Sequence, residues 1–217
     1  MSDSTAVTLA DIVAAIDVRL EQKDRVREEV LILSRKVVQH ASKAIRAVHR
    51  RQFEEADALL REAGALVERI KALAGAHPDI LFAGYTQDAQ KEYAEAHLTR
   101  AFVTGARLPT PEALGVGDAP YLNALGEAAS ELRRAILDRI RRGESLAEAE
   151  RWLQIMEEVY SHLQTVDYPH AITNNLRRTT DALRAVLERT RGDVTTAVRQ
   201  QALRQALADF ERRIRQE

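Results

Sequence analysis

The chain of 217 residues contains no cysteine, so disulfides, zinc–thiolate sites and thiol catalysis are excluded outright. Glycine and proline are scarce, 9 and 5 in all, which leaves few breaks between elements. No apolar run approaches the roughly 18 residues of a membrane span, and Met1-Ser2-Asp3-Ser4-Thr5 lacks the charged and apolar regions of a signal peptide. The expectation is a cytoplasmic protein without membrane contact. A net charge of -1 argues against a uniformly basic nucleic-acid coat, though it says nothing of local patches. Also missing are a Gly-rich phosphate loop, a serine-nucleophile elbow and a zinc-binding His pair. Glu158 and His162 stand i, i+4, which is not the Glu-x-x-His of di-iron bundles. His40, His49, His77, His97 and His170 form no ligand spacing and read as surface or capping residues.

What remains is 45% apolar and 30% charged, dominated by Ala, Leu, Arg and Glu, with no strand-like alternation. That balance predicts an all-α protein, a single domain of about seven helices spanning residues 1–217. Residues 1–8 read as flexible. Thr8 followed by Asp11 is a capping-box pattern, so a long helix starts near Leu9 and runs to about Arg51. Its core stripe is Val26, Val30, Leu33, Val37, Ala41, Ala44, Ile45 and Val48. A second helix covers about Phe53 to Leu73, and a third, opened by Pro78, runs unbroken from Ile80 to Val103. Three Pro and three Gly between Gly105 and Pro120 mark an internal loop (105–120) joining two halves of the domain. A fourth helix spans Tyr121 to Arg142 and stops at Gly143; a fifth spans Ser145 to Gln164. After Tyr168-Pro169 a sixth reaches Arg191. Gly192-Asp193 reads as a C′ glycine and an N-cap that open a seventh.

The third helix carries the anomaly. Leu81, Tyr85, Ala89, Ala96, Phe102 and Val103 define its apolar face, and Glu92 falls near the middle of that face, with Asp88 and Glu95 about one residue's rotation away. A buried, unpaired carboxylate is costly and is normally protonated, ion-paired or bound to metal. Glu92 and Glu95 at i, i+3 can share Mg²⁺ or Mn²⁺, ions that prefer hard oxygen ligands. An E-x-x-E pair is equally met on salt-bridged edges; its place in an apolar face is what draws attention. Glu127, Glu131 and Asp138 share a wedge of the fourth helix that borders its polar side. Alone they read as an exposed acidic edge. Facing the third helix, Glu127 and Glu131 would complete a four-carboxylate cluster.

The first helix holds a second pattern. Arg25, Lys36, Gln39, Lys43, Arg46 and Arg50 project opposite the core stripe. Such a ridge can follow a nucleic-acid backbone through phosphate contacts, or be an ordinary solvated face. No aromatic stacking platform accompanies it.

Three segments together resemble the translin family, including translin-associated factor X. They are Arg25-Val26-Arg27-Glu28-Glu29-Val30-Leu31-Ile32-Leu33-Ser34-Arg35-Lys36 with Ser42-Lys43-Ala44-Ile45-Arg46-Ala47-Val48-His49-Arg50, then Glu92-Tyr93-Ala94-Glu95-Ala96, then the stretch from Pro120 to Leu132. The likeness runs from about residue 20 to 190. It implies an all-α fold and a ring-like or barrel-like homo-oligomer, usually an octamer, with an inner cavity. It also implies a Mg²⁺-dependent endoribonuclease acting on single-stranded RNA, with single-stranded DNA a second candidate ligand. The family's other behaviour is non-catalytic binding of single strands. Carried over by motif, Glu92, Glu95 and Glu127 match catalytic positions, and these three with Glu131 match metal ligands. Glu127 stands where catalytic members commonly have Asp and is one methylene longer. Arg35, Lys36, Lys43, Arg46 and Arg50 match nucleic-acid-binding or subunit-contact positions.

Overall fold

A computed structural model describes residues 7–215, and among these every regular element is helical. Six long helices carry the bundle: α1 (Leu9–His49), α2 (Phe53–Ala74), α4 (Gly84–Thr104), α6 (Asp118–Arg142), α7 (Ala147–Gln164) and α9 (Leu176–Ile214). Three single turns connect them: α3 (Pro78–Leu81), α5 (Pro111–Leu114) and α8 (His170–Thr173). Helix α1 begins on the expected capping box. Asp11 N–H donates to Thr8 Oγ1 at 3.2 Å, and Thr8 N–H donates back to Asp11 Oδ2 at 3.0 Å. The expected flexibility of residues 1–8 falls mostly outside the described residues; Val7 and Thr8 are exposed.

The central element is α4, which packs on α1, α2 and α6. Its neighbours approach closely because alanine fills the contacts: Ala41, Ala44, Ala47, Ala94 and Ala96 have no exposed surface. One hydrophobic cluster runs through both halves, from Val30 and Val67 through Leu98 and Leu132 to Trp152, Met156, Leu183 and Leu187. Each such fully buried side chain contributes about 1.5–3 kcal/mol. Gly126 of α6 has a backbone role, since a Cβ there would lie 2.8 Å from Thr179 Cγ2 and 3.2 Å from Leu163 Cδ1. It lets α7 and α9 close on α6.

The third predicted helix is broken. Phe82 ends α3, Ala83 is extended (φ −64°, ψ 148°), and α4 starts at Gly84. Side chains replace the lost backbone bonds: Thr86 Oγ1 donates to the Ile80 carbonyl at 2.8 Å and Gln87 Nε2 to that of Leu81 at 3.3 Å. The expected loop 105–120 contains α5, and α6 begins three residues before Tyr121, with Pro120 in its first turn. Gly143 ends α6 in the left-handed region (φ 67°), as its position implied.

The sixth and seventh predicted helices are one. A break does occur earlier, at Asn174 and Asn175, both left-handed (φ 47° and 68°). Asn123 of α6 anchors that turn, donating to the Thr173 carbonyl and accepting from Thr179 Oγ1. Gly192, in contrast, lies inside α9. Asp193 caps no helix, since α9 runs through it, and its carboxylate lies 2.8 Å from Arg133 of α6. A single interior glycine costs a helix only about 1 kcal/mol, and packing overrides it.

Candidate metal centre

Ala-rich packing between α4 and α6 positions the acidic groups. Glu92, Glu95 and Glu127 each offer an oxygen within 4.8 Å of the others, across the two helices. Glu95 is the buried member, 7% exposed, and Glu92 and Glu127 are half-buried. Among the described residues Glu95 has no hydrogen-bond or ion-pair partner. Burial, and after it the charges of Glu92, Glu127 and Glu131, pushes its carboxyl up to about 9. Burial also raises Glu92, opposed by Lys91.

Lys91 is a member that periodicity did not identify. Its Nζ lies 2.9 Å from Glu127 Oε2 and 3.4 Å from a Glu92 oxygen. Burial works against its charge, yet the bond to Glu127 leaves its pKa raised. No spacing within α4 signals this role, because its nearest partner, Glu127, lies on α6.

Glu131 lies outside the three-carboxylate group. Its Oε2 is 2.6 Å from Nε2 of His49, whose side chain is almost fully buried. His49 is therefore an α1-to-α6 tie and not the surface residue expected. Asp88, placed beside the apolar face by periodicity, is exposed, and Asp138 pairs with Arg141. The reason is that α4 has no single apolar side. It is covered by α1, α2 and α6 together, so angle along the helix did not report depth.

Tyr93, His97 and Arg100 face away from the glutamates, toward α2, where a cavity of about 520 Å³ opens. Arg100 holds Asp57 of α2 through two nitrogens, one pair at 2.8 Å. Burial pushes His97 down to about 4, and its Nε2 is buried without a partner among the described residues. His97 too departs from the expected surface role.

Arg35, Lys36, Lys43, Arg46 and Arg50 are exposed along one side of α1, and none is ion-paired among the described residues. Arg25 is held by Glu21. His49, next to Arg50, ties this end of the ridge to Glu131, one turn from Glu127.

An all-α bundle with a carboxylate cluster between two core helices is the class defined by fold and geometry. No family model matches the sequence. The chain is 33% identical over 189 residues to an uncharacterised protein of Methanocaldococcus jannaschii, covering 87% of this chain and 83% of that protein. Its fold is similar to AfC3PO solved with duplex RNA (TM-score 0.78, 33% identity, 85% of this chain and 95% of the other). AfC3PO alone gives a TM-score of 0.79 at 32% identity, covering 85% and 96%. Apo-NeC3PO gives 0.77 at 19% identity, covering 88% and 98%, a likeness of fold. The chain belongs to the translin (C3PO) family. No described helix is long and apolar enough to cross a membrane.

Proposed function

We propose that the protein is a Mg²⁺-dependent endoribonuclease that hydrolyses single-stranded RNA within a cytoplasmic, octamer-type homo-oligomer. The observation that carries the reading is Glu95: a buried carboxylate without a partner, grouped with Glu92 and Glu127 within 4.8 Å. Its donor set fits a hard divalent ion, Mg²⁺ or Mn²⁺, since every candidate ligand atom is a carboxylate oxygen. Glu127 brings an oxygen into the group from the facing helix.

Glu92, Glu95 and Glu127 would hold the ion, with Glu131 outside this group and held by His49. When bound, Mg²⁺ supplies a lowered pKa to a ligated water and offsets charge growing on the scissile phosphate. One of the glutamates accepts the proton of the attacking water. Lys91, between Glu92 and Glu127, keeps a second cation beside the reacting phosphate. Arg35, Lys36, Lys43, Arg46 and Arg50 are free to bind successive phosphates. AfC3PO has been solved with duplex RNA, which supports RNA as the ligand class and makes strandedness a matter for direct comparison.

Lys91 also supports a second reading, non-catalytic binding of single-stranded RNA or DNA, because its ammonium already supplies countercharge to two of the three glutamates. Cleavage of labelled single- and double-stranded RNA in Mg²⁺ and in EDTA separates the two. The nuclease reading expects metal-dependent cleavage of the single strand that Glu92→Ala and Glu95→Ala abolish. Binding without cleavage by the wild type would establish the alternative.

A further inference from the structure

Twelve of the eighteen large apolar side chains exposed among the described residues lie at two helix ends, seven between Val7 and Leu20 and five between Val198 and Ile214. Every residue from 7 to 22 is exposed, so the first four turns of α1 stand clear of the bundle. Helix α9 does the same at its other end; Val194 is its last buried residue. Free helices of this length are marginal in water and gain their stability from an apolar partner.

Both ends carry the same pattern. In α1 the exposed residues Leu9, Val13, Ile16 and Leu20 are spaced four, three, four, and in α9 Leu203, Leu207, Phe210 and Ile214 repeat that spacing. This is the a/d rhythm of a coiled-coil seam, and both seams span twelve residues, about 16 Å. Their flanks differ in sign. Around the first lie Asp11, Asp17 and Glu21 against Arg19; around the second lie Arg199, Arg204, Arg212, Arg213 and Arg215 against Asp209 and Glu211. Each stripe facing its own kind would bring like charges together, whereas each facing the other matches length, spacing and charge.

We infer that the free end of α1 in one copy of this chain pairs with the free end of α9 in another. The contact uses two different surfaces, so each copy offers one of each and the contact repeats until a ring closes. It does not depend on the nuclease reading, and it predicts that assembly and cleavage can be lost separately.

The test uses two full-length variants, Val13→Glu/Ile16→Glu and Leu207→Lys/Phe210→Lys, with mass followed by light scattering after size exclusion. All four positions are exposed and outside the bundle core, so each variant should still unfold cooperatively, losing helicity only at the unpaired helix end. Wild type should have a mass several times 24.3 kDa. Each variant alone should lose that mass. Mixed in equal amounts, they should form a two-chain species, since one retains its α9 stripe and the other its α1 stripe. A monomeric wild type, a variant that keeps the wild-type mass, or a mixture that stays separate would overturn the pairing. The second of these outcomes would point to self-pairing of one stripe or to folding of both within one chain.

Discussion

On the α2 side of α4, Arg100 grips Asp57 through two nitrogens. On the α6 side of the same helix, Glu95 is more deeply buried and has no partner, while its neighbours Glu92 and Glu127 share a single lysine. The first arrangement is what a structural charge looks like in this bundle: each group is matched on the facing helix. Three carboxylates gathered around one ammonium are not matched, and burial raises two of them. A divalent ion would displace the proton that burial leaves on Glu95 and neutralise the carboxylates together.

The sharpest way to break this contrast is to remove a charge from each side. Glu95→Ala, and likewise Glu92→Ala or Glu127→Ala, should lower metal-dependent RNA cleavage at least about 100-fold, measured as initial rates at saturating Mg²⁺. Arg100→Ala should leave the per-molecule rate within a few-fold; equal losses on both sides would dissolve the distinction.

Stability should respond in the opposite sense. In EDTA, Glu95 has a folded-state value of about 9 against an ordinary 4.5. The folded state therefore holds a proton that the unfolded chain releases between those values, and stability falls as pH rises through that window. Glu95→Gln should flatten this slope and raise the melting temperature at pH 8, by scanning calorimetry. A parallel pH profile for both proteins would show that Glu95 is satisfied. Arg100→Ala should cost about 1 kcal/mol by urea unfolding, because the pair with Asp57 is partly exposed. The smallest effect belongs to a site that touches neither side. Gly192→Ala in α9 has open space around the new Cβ and should stabilise by about 0.5–1 kcal/mol, leaving cleavage unchanged.

Helix by helix, the period of the apolar residues reported burial where one side of a helix faces the core. Val30, Leu33, Val37, Ala41, Ala44 and Val48 are buried as their spacing implies. The same rule failed on α4 and at Gly192. In α4, neighbours pack from several directions, so angle alone did not separate Asp88, which is exposed, from Glu95, which is buried. At Gly192 a local stop signal was overruled by the packing of α9 on α6 and α7, which no spacing near Gly192 encodes. Lys91, Glu131 and His49 show the same limit within the site. Their partners lie 36 and 82 positions off, and no spacing within one helix encodes them.

The sequence by itself determined an all-α chain, most helix boundaries, the capping box at Thr8, and a family likeness that named Glu92, Glu95 and Glu127. These follow from short-range physics: propensity, caps and period act within a few residues. Only the tertiary structure decided which carboxylate is buried, that Lys91 serves two of the three, that His49 takes Glu131 from the group, and that two apolar stripes at opposite ends of the chain are left uncovered. Depth and countercharge depend on which helices face each other, and that is settled when the bundle packs.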